Sequence, residues 1–374
     1  MRESVGNRFA PDYAVHPGEV LAETLAARGV SKSDLAERCG LSAKTVSLIV
    51  NGKAPVTSET AIQLERALGV AAEVWVNLDA NYRLHVAKQG ERERLEAAQA
   101  WAARFPVKEL AERGYLGEQE DPLDRLRSLL GFFGVASVGA WEARTSRLVI
   151  AYRKSPAFEI SKAAVVSWLR IGEIEAEQIE TDPFVRKGFR DALEKIRTLT
   201  TAETAVIEPE MKRLCKRAGV ALVVVPELPK TRLCGATRWL SPDKALLLLS
   251  RRHGTDDQFW FTFYHEAGHV LLHGKKDVFI DEEGVPANEE EDEANRFAAS
   301  FLIPNPKYVE FLRRGRFYKE DIVEFAATLG IAPGIVVGRL QHDGKIPFQW
   351  HNGLKKAVAL DLESGVAVEV REPH

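Results

Sequence analysis

The sequence predicts an α+β protein, mainly helical: an all-α N-terminal helix-turn-helix domain, a helical connector, and a C-terminal domain in which helices accompany a small sheet. Three observations carry that expectation. Two short helical patterns flank a glycine at position 40, charged helical runs fill the centre, and apolar strand-length runs followed by a long apolar helix mark the last part. The expected divisions fall at residues 1–88, 89–199, 200–349 and a tail at 350–374. With 374 residues, 45% of them hydrophobic, the chain can bury two or three cores, and a formal charge of -3 excludes neither nucleic acid nor protein as a partner.

Residues 30–53 read as two short helices around Gly40. Ser31 and Ser42 stand as N-caps, and Leu35, Ala36, Val46 and Ile49 form the inward face. In such a motif the second helix enters the major groove by its N-terminal half. Ala43, Lys44, Thr45 and Ser47 are therefore the candidates for base edges, with Lys32 and Lys53 near phosphate. From Arg38 to Ser58 every charged side chain is positive, as a surface facing DNA requires, although residues 1–90 carry about as many acids as bases. A helical hairpin used for protein contact is the competing reading.

The flanks carry a resemblance. His16-Pro17-Gly18-Glu19-Val20-Leu21 before the motif, then Asn51-Gly52-Lys53-Ala54-Pro55-Val56-Thr57, Glu59-Thr60-Ala61, Trp75-Val76-Asn77-Leu78 and Asn81-Tyr82, resemble the HigA-like antitoxin branch of the Xre helix-turn-helix family. The resemblance implies a homodimer that binds double-stranded operator DNA and represses its own operon. It departs from a stand-alone antitoxin in that a long fused chain replaces the partner-binding region, which leaves a toxin partner open.

In the connector, residues 91–103, 123–133, 162–179 and 182–199 carry helical runs separated by glycine and proline clusters. Trp141, Tyr152 and Trp168 are expected as core anchors, because aromatics at helical spacing usually pack. A ligand pocket lined by them is the alternative.

Residues 220–225 and 244–250 are apolar and of strand length. An apolar helix follows, with Asp256 or Asp257 as N-cap and Gly274 as C-cap, and it contains His265-Glu266-Ala267-Gly268-His269. At about 3.6 residues per turn the two imidazoles lie one above the other and can converge on one ion. Glu266 points roughly a quarter-turn away, toward a metal-bound water. Two histidines leave a catalytic zinc one protein ligand short. His273 continues the spacing but lies about 9 Å along the axis from the midpoint of the pair, which places it outside the ligand set, behind it or at the surface.

Residues 288–304 read as a second helix with Ala294, Phe297, Ala298 and Phe301 inward and Pro304 at its end. A carboxylate one turn before that face would reach the histidines, and spacing leaves Glu290, Glu291 and Glu293 open. A solvated acidic helix start is the plain reading of the cluster. Asn295, four residues after Glu291, could hold a ligating histidine through its amide.

Together, His265-Glu266-x-x-His269, Glu291-x-x-Ala294-Asn295-x-Phe297-Ala298 and Leu302-Ile303-Pro304 resemble the ImmA/IrrE group of metallopeptidases, a thermolysin-like zincin family, over about residues 200–349. Gly235-Ala236-Thr237-Arg238-Trp239 belongs to the same likeness. The resemblance implies a C-terminal zincin-like metallopeptidase domain with one Zn2+ per chain, Glu291 as third ligand beside His265 and His269, and Glu266 as general base. It implies an endopeptidase acting on a polypeptide, most simply a repressor or other regulator protein. Downstream His or Tyr side chains stabilise the oxyanion in thermolysin-like sites, which makes His342 and Tyr318 candidates. In such sites a strand beside the metal helix pairs with the extended substrate; residues 244–250 are either that edge strand or a buried core strand. The alternative function is a DNA-binding sensor or antitoxin whose metallopeptidase-like domain binds a ligand or toxin without proteolysis.

Residues 308–313, 319–329 and 333–340 are expected as short helices completing the domain, and Glu363-Ser364-Gly365 as the turn of a terminal hairpin. Cys39, Cys215 and Cys234 have no paired spacing and read as reduced thiols of a cytoplasmic protein. No signal-peptide pattern or apolar run of spanning length is present, so no membrane partner is expected.

Overall fold

The computed structural model describes residues 13–117, 121–152, 156–229, 231–252, 254–274, 278–282 and 289–358. The chain divides into two compact units, Met1–Gln99 and Ala100–His374.

The first unit contains α1 (Pro17–Arg28), α2 (Lys32–Cys39), α3 (Ala43–Val50), α4 (Ser58–Leu68) and α5 (Ala72–Ala97). The helices around the turn start where their caps dictate. Ser31 Oγ accepts from the Asp34 N–H and Ser42 Oγ from the Thr45 N–H, each satisfying a donor that the first turn leaves without a helical partner. Gly40 closes the turn at φ 66°, a left-handed conformation open to glycine at no steric cost. Leu35, Ala36, Val46 and Ile49 are buried as expected, in one core with Leu21, Leu64 and Trp75. α1 meets α3 closely at Gly18, where a Cβ would stand 2.4 Å from the Ile49 carbonyl oxygen. Asp79 of α5 is buried, accepts from the Val56 N–H and pairs with Arg83, which fastens the segment after α3.

The chain continues through α6 (Gln99–Ala102), α7 (Val107–Glu112), α8 (Pro122–Phe132), α9 (Val138–Tyr152), α10 (Pro156–Glu177), α11 (Arg186–Thr198) and α12 (Thr204–Arg217). The helix expected at residues 91–103 is mostly the tail of α5, begun at Ala72. Trp141 and Trp168 are buried anchors, Trp168 donating its indole N–H to the Val225 carbonyl at 3.0 Å. The side chain of Tyr152 lies outside the described residues, as does the terminal hairpin expected around Ser364.

Four strands, β1 (Val220–Val224), β2 (Leu233–Ser241), β3 (Lys244–Leu249) and β4 (Val278–Glu282), form one sheet in the order β1-β3-β2-β4. β1 and β3 run parallel, while β2 is antiparallel to both β3 and β4. The edge-strand reading of residues 244–250 is thereby overturned: β3 has a partner on each side. Its composition explains the outcome, because Ala245, Leu246, Leu247, Leu248 and Leu249 are all buried, as a strand covered on both faces requires. Among the described residues β4 is an edge strand, which no sequence pattern announced.

The remaining helices are α13 (Asp256–Leu272), α14 (Glu289–Leu302), α15 (Asn305–Arg313), α16 (Lys319–Leu329) and α17 (Pro333–His342). Alternation along the sheet assigns its faces. Ala245, Leu247 and Leu249 join the core of α13, whereas Leu248 meets Gly172 of α10, where a Cβ would lie 2.4 Å from its Cδ2. The guanidinium of Arg197 donates to the last carbonyls of α14 and α16, at Leu302 and Leu329, and so pins both helix ends. Thr255, not Asp256 or Asp257, is the N-cap of α13, and His273 rather than Gly274 is its C-cap. The two aspartates instead bind the returning chain: Asp256 accepts from the Lys356 N–H, and Asp257 pairs with Lys355 at 2.7 Å. Among the described residues no single helix is long and apolar enough to cross a membrane.

Candidate metal centre and nucleic-acid interface

α13 is buried around most of its circumference, so its polar residues are delivered into the interior. His265 and His269 are 2% and 1% exposed, with their Nε2 atoms 3.0 Å apart. α14 reaches them because the two helices touch at small residues. A Cβ on Gly268 would stand 3.3 Å from Ala294 Cα and 3.1 Å from the Phe297 ring. That approach brings Glu291, one turn before Ala294, to the pair: its carboxylate oxygens lie 3.0 Å from His265 Nε2 and 3.5 Å from His269 Nε2. One donor atom from each of His265, His269 and Glu291 lies within 4.8 Å of the other two. Ligands about 2.0–2.2 Å from a tetrahedral ion stand roughly 3.4 Å apart, so small shifts would seat one. Two imidazoles and a carboxylate are also a donor set that suits zinc. Glu290 is exposed, and Glu293 lies 3.3 Å from His273 rather than beside the pair.

Each imidazole is held at its other nitrogen. His265 Nδ1 is 3.0 Å from Asn295 Oδ1, the placement that the spacing from Glu291 anticipated, and His269 Nδ1 is 2.8 Å from His273 Nδ1. Phe279 of β4 stacks on His269 at 4.2 Å. Glu266 is fully buried beneath β2, where Thr237 Oγ1 donates to its Oε2 at 2.6 Å. Gly235 leaves the carboxylate its room, since a Cβ there would stand 2.5 Å from Glu266 Oε1. Thr237, Gly235 and Phe279 were not singled out as site residues by sequence reasoning. Strand alternation could have placed Gly235 and Thr237 on one face; for Phe279 no signal existed, because β4 itself was not foreseen.

Burial pushes the His269 pKa down to about 4, against a smaller opposing effect of its hydrogen bond to Glu291. Burial pushes Glu291 up, but hydrogen bonds from His265 and His269 outweigh it and hold the carboxyl at about 2. Near neutral pH His269 is thus a neutral imidazole and Glu291 an ionised carboxylate, the states in which these groups can ligate a metal.

His342 and Tyr318 are not brought to this cluster. His342 ends α17 with its side chain 83% exposed and paired with Asp343, and Tyr318 is 65% exposed ahead of α16. α17 meets α13 through Gly334 and Gly338 at Asp256 and Asp257, about 12 Å along the axis from His265 at 1.5 Å per residue.

In the first unit Ala43, Lys44, Lys32 and Lys53 are exposed. Thr45 is half-buried, its hydroxyl 2.8 Å from Ser42 Oγ, and Ser47 Oγ lies 3.3 Å from Asn51 Nδ2. Arg38 is engaged by Asp34 at 2.7 Å on the same helix, so the local positive charge rests on Lys32, Lys44 and Lys53.

Comparison with known proteins matches two separate stretches of the chain. Residues 21–75 match the helix-turn-helix family profile, and residues 227–341 match the IrrE N-terminal-like domain, a peptidase-family profile. The chain is 35% identical over 80 residues to virulence-associated protein I of Dichelobacter nodosus, covering 21% of this chain and 74% of that protein. It is 32% identical over 73 residues to the uncharacterized HTH-type transcriptional regulator YddM of Escherichia coli (strain K12), covering 20% of this chain and 78% of that protein. Among solved structures, the Pseudomonas aeruginosa antitoxin HigA with the higBA promoter is 32% identical, covering 23% of this chain and 94% of that one at a TM-score of 0.22. Through its N-terminal domain the chain belongs to the helix-turn-helix family that includes these relatives, and its residues 227–341 match the IrrE N-terminal-like peptidase-family domain.

Proposed function

We propose that the protein is a cytoplasmic, DNA-binding transcription regulator whose C-terminal domain is a zinc-dependent endopeptidase. The observation that carries this reading is the burial of Glu266 beside three convergent donors, since a purely structural metal site has no need of a base next to its ligands. Zn2+ held by His265, His269 and Glu291 would polarise the scissile carbonyl and bring the pKa of a bound water toward about 7. Glu266 takes the proton from the attacking water and delivers it to the leaving amine nitrogen. Thr237 holds that carboxylate in place, and Asn295 orients the imidazole of His265.

A polypeptide substrate fits the surroundings. β4 is an edge of the sheet among the described residues, and Phe279 lays it against His269. An extended chain added to that edge would run past the site, held by main-chain hydrogen bonds that demand no particular sequence. A regulator protein, bound near the operator that α3 reads as part of a homodimer, is the substrate class this fusion favours. Ala43 and Lys44 of α3 are exposed, as contacts to base edges need, with the partly buried Thr45 and Ser47 following them, and Lys32 of α2 and Lys53 after α3 are exposed cations suited to phosphate.

The test compares zinc-loaded wild type with Glu266→Gln, each incubated with proteins of the native host and read by mass spectrometry of new termini. Both should hold one zinc, and only the wild type should release a specific fragment. If both cleave alike, the cleavage does not depend on Glu266 and the assignment of the base fails; if both hold zinc and neither cleaves, the domain binds a ligand or toxin without proteolysis.

A further inference from the structure

Resting on the assignment of His265, His269 and Glu291 as zinc ligands, we infer that His273 and Glu293 form a positioning relay that decides which nitrogen of His269 faces the metal. His273 is the C-cap of α13, where a side chain ordinarily emerges into water, yet its side chain is only 5% exposed. Both ends of the residue turn back to the ligand: its backbone N–H donates to the His269 carbonyl at 3.2 Å, and its Nδ1 lies 2.8 Å from His269 Nδ1. Its Nε2 lies 3.3 Å from Glu293 Oε2. Phe279 packs over both rings, with centroids 4.2 Å from His269 and 4.9 Å from His273, and limits their rotation.

Counting protons gives the relay a direction. Two facing Nδ1 atoms bond through one shared hydrogen, so one must donate and the other accept. A His269 that ligates through Nε2 keeps that nitrogen bare and carries its hydrogen on Nδ1. His273 Nδ1 is then the acceptor, its own hydrogen sits on Nε2, and that hydrogen points at the Glu293 carboxylate. The reverse order would put a hydrogen on His269 Nε2, the atom facing His265 and Glu291, and block ligation. A ligating imidazole usually donates its second N–H to a carboxylate, carbonyl or water, which fixes its tautomer. Here His265 uses the Asn295 amide, while for His269 a second imidazole stands between ligand and carboxylate.

The test uses the full chain and two readouts that need no substrate. In zinc-loaded wild type, 15N-histidine NMR should show His269 protonated at Nδ1 and His273 at Nε2. Zinc affinity, measured against a chromophoric chelator, should fall about 10–100-fold in His273→Phe, which keeps an aromatic ring beside Phe279 but cannot accept, and less in Glu293→Gln. Circular dichroism confirms that the variants are folded. A wild-type His273 carrying its hydrogen on Nδ1, or a folded His273→Phe that binds zinc as tightly as wild type, overturns the relay alone. A wild type that binds no zinc overturns the ligand assignment and the relay with it.

Discussion

His269 and Glu291 are held in ligand-ready protonation states by opposite balances, burial dominating the imidazole and hydrogen bonds dominating the carboxylate. For the metal-free protein this makes a pH prediction. The folded pKa of His269, about 4, lies below its ordinary 6.5, so the unfolded chain takes up the proton first. Stability should therefore fall as pH drops from about 6.5 toward 4. Glu291, at about 2 against an ordinary 4.5, extends the loss below pH 4.5. Urea midpoints between pH 7.5 and 4 check this; a midpoint that rises as pH falls through 6 contradicts it. At Gly235 the claim is steric. Gly235→Ala places a methyl 2.5 Å from Glu266 Oε1 and should cost about 1–3 kcal/mol by overpacking, while displacing the base. Urea denaturation should show the loss and a cleavage assay a fall in fragment yield with zinc retained; unchanged values for both would refute the close packing.

At the scale of elements, the site exists because α14 lands close enough to α13, and the small residues at the crossing decide that distance. Gly268→Val should push α14 away, since the nearest atoms include the backbone of Ala294 as well as the Phe297 ring. Zinc affinity should drop at least tenfold as Glu291 withdraws, although it is not itself altered. The same crossing explains what was legible in the sequence. Both helices were readable from their 3.6-residue period, and the histidine pair from its spacing. Spacing alone did not choose among Glu290, Glu291 and Glu293, because all three share one turn; the resemblance named Glu291, and the packing at Gly268 is what brings that carboxylate to the pair. Residues 244–250 could not be resolved into edge or interior strand, because a short apolar run carries no record of its neighbours. β4 escaped notice for a related reason: five residues ending in Asp281 and Glu282 become a strand only against β2, some forty positions earlier in the chain.

At the scale of the whole molecule, the chain joins a helix-turn-helix domain to a peptidase-family domain in two compact units. The recognition surface makes its own prediction. Lys44→Ala should weaken operator binding at every salt concentration, whereas Arg38→Ala, already paired with Asp34, should not. Fluorescence anisotropy on DNA from the protein's own promoter at several salt concentrations measures both, and equal effects of the two variants would displace the groove assignment. The central claim is that three particular side chains hold one metal ion beside a buried base. Zinc titration of the full chain with Glu291→Ala, Glu290→Ala and Glu266→Gln tests it most directly. The account predicts one zinc per chain in the wild type, near-wild-type affinity in Glu290→Ala and Glu266→Gln, and loss of binding in Glu291→Ala. Wild-type affinity in Glu291→Ala, or its loss in Glu290→Ala instead, would contradict it.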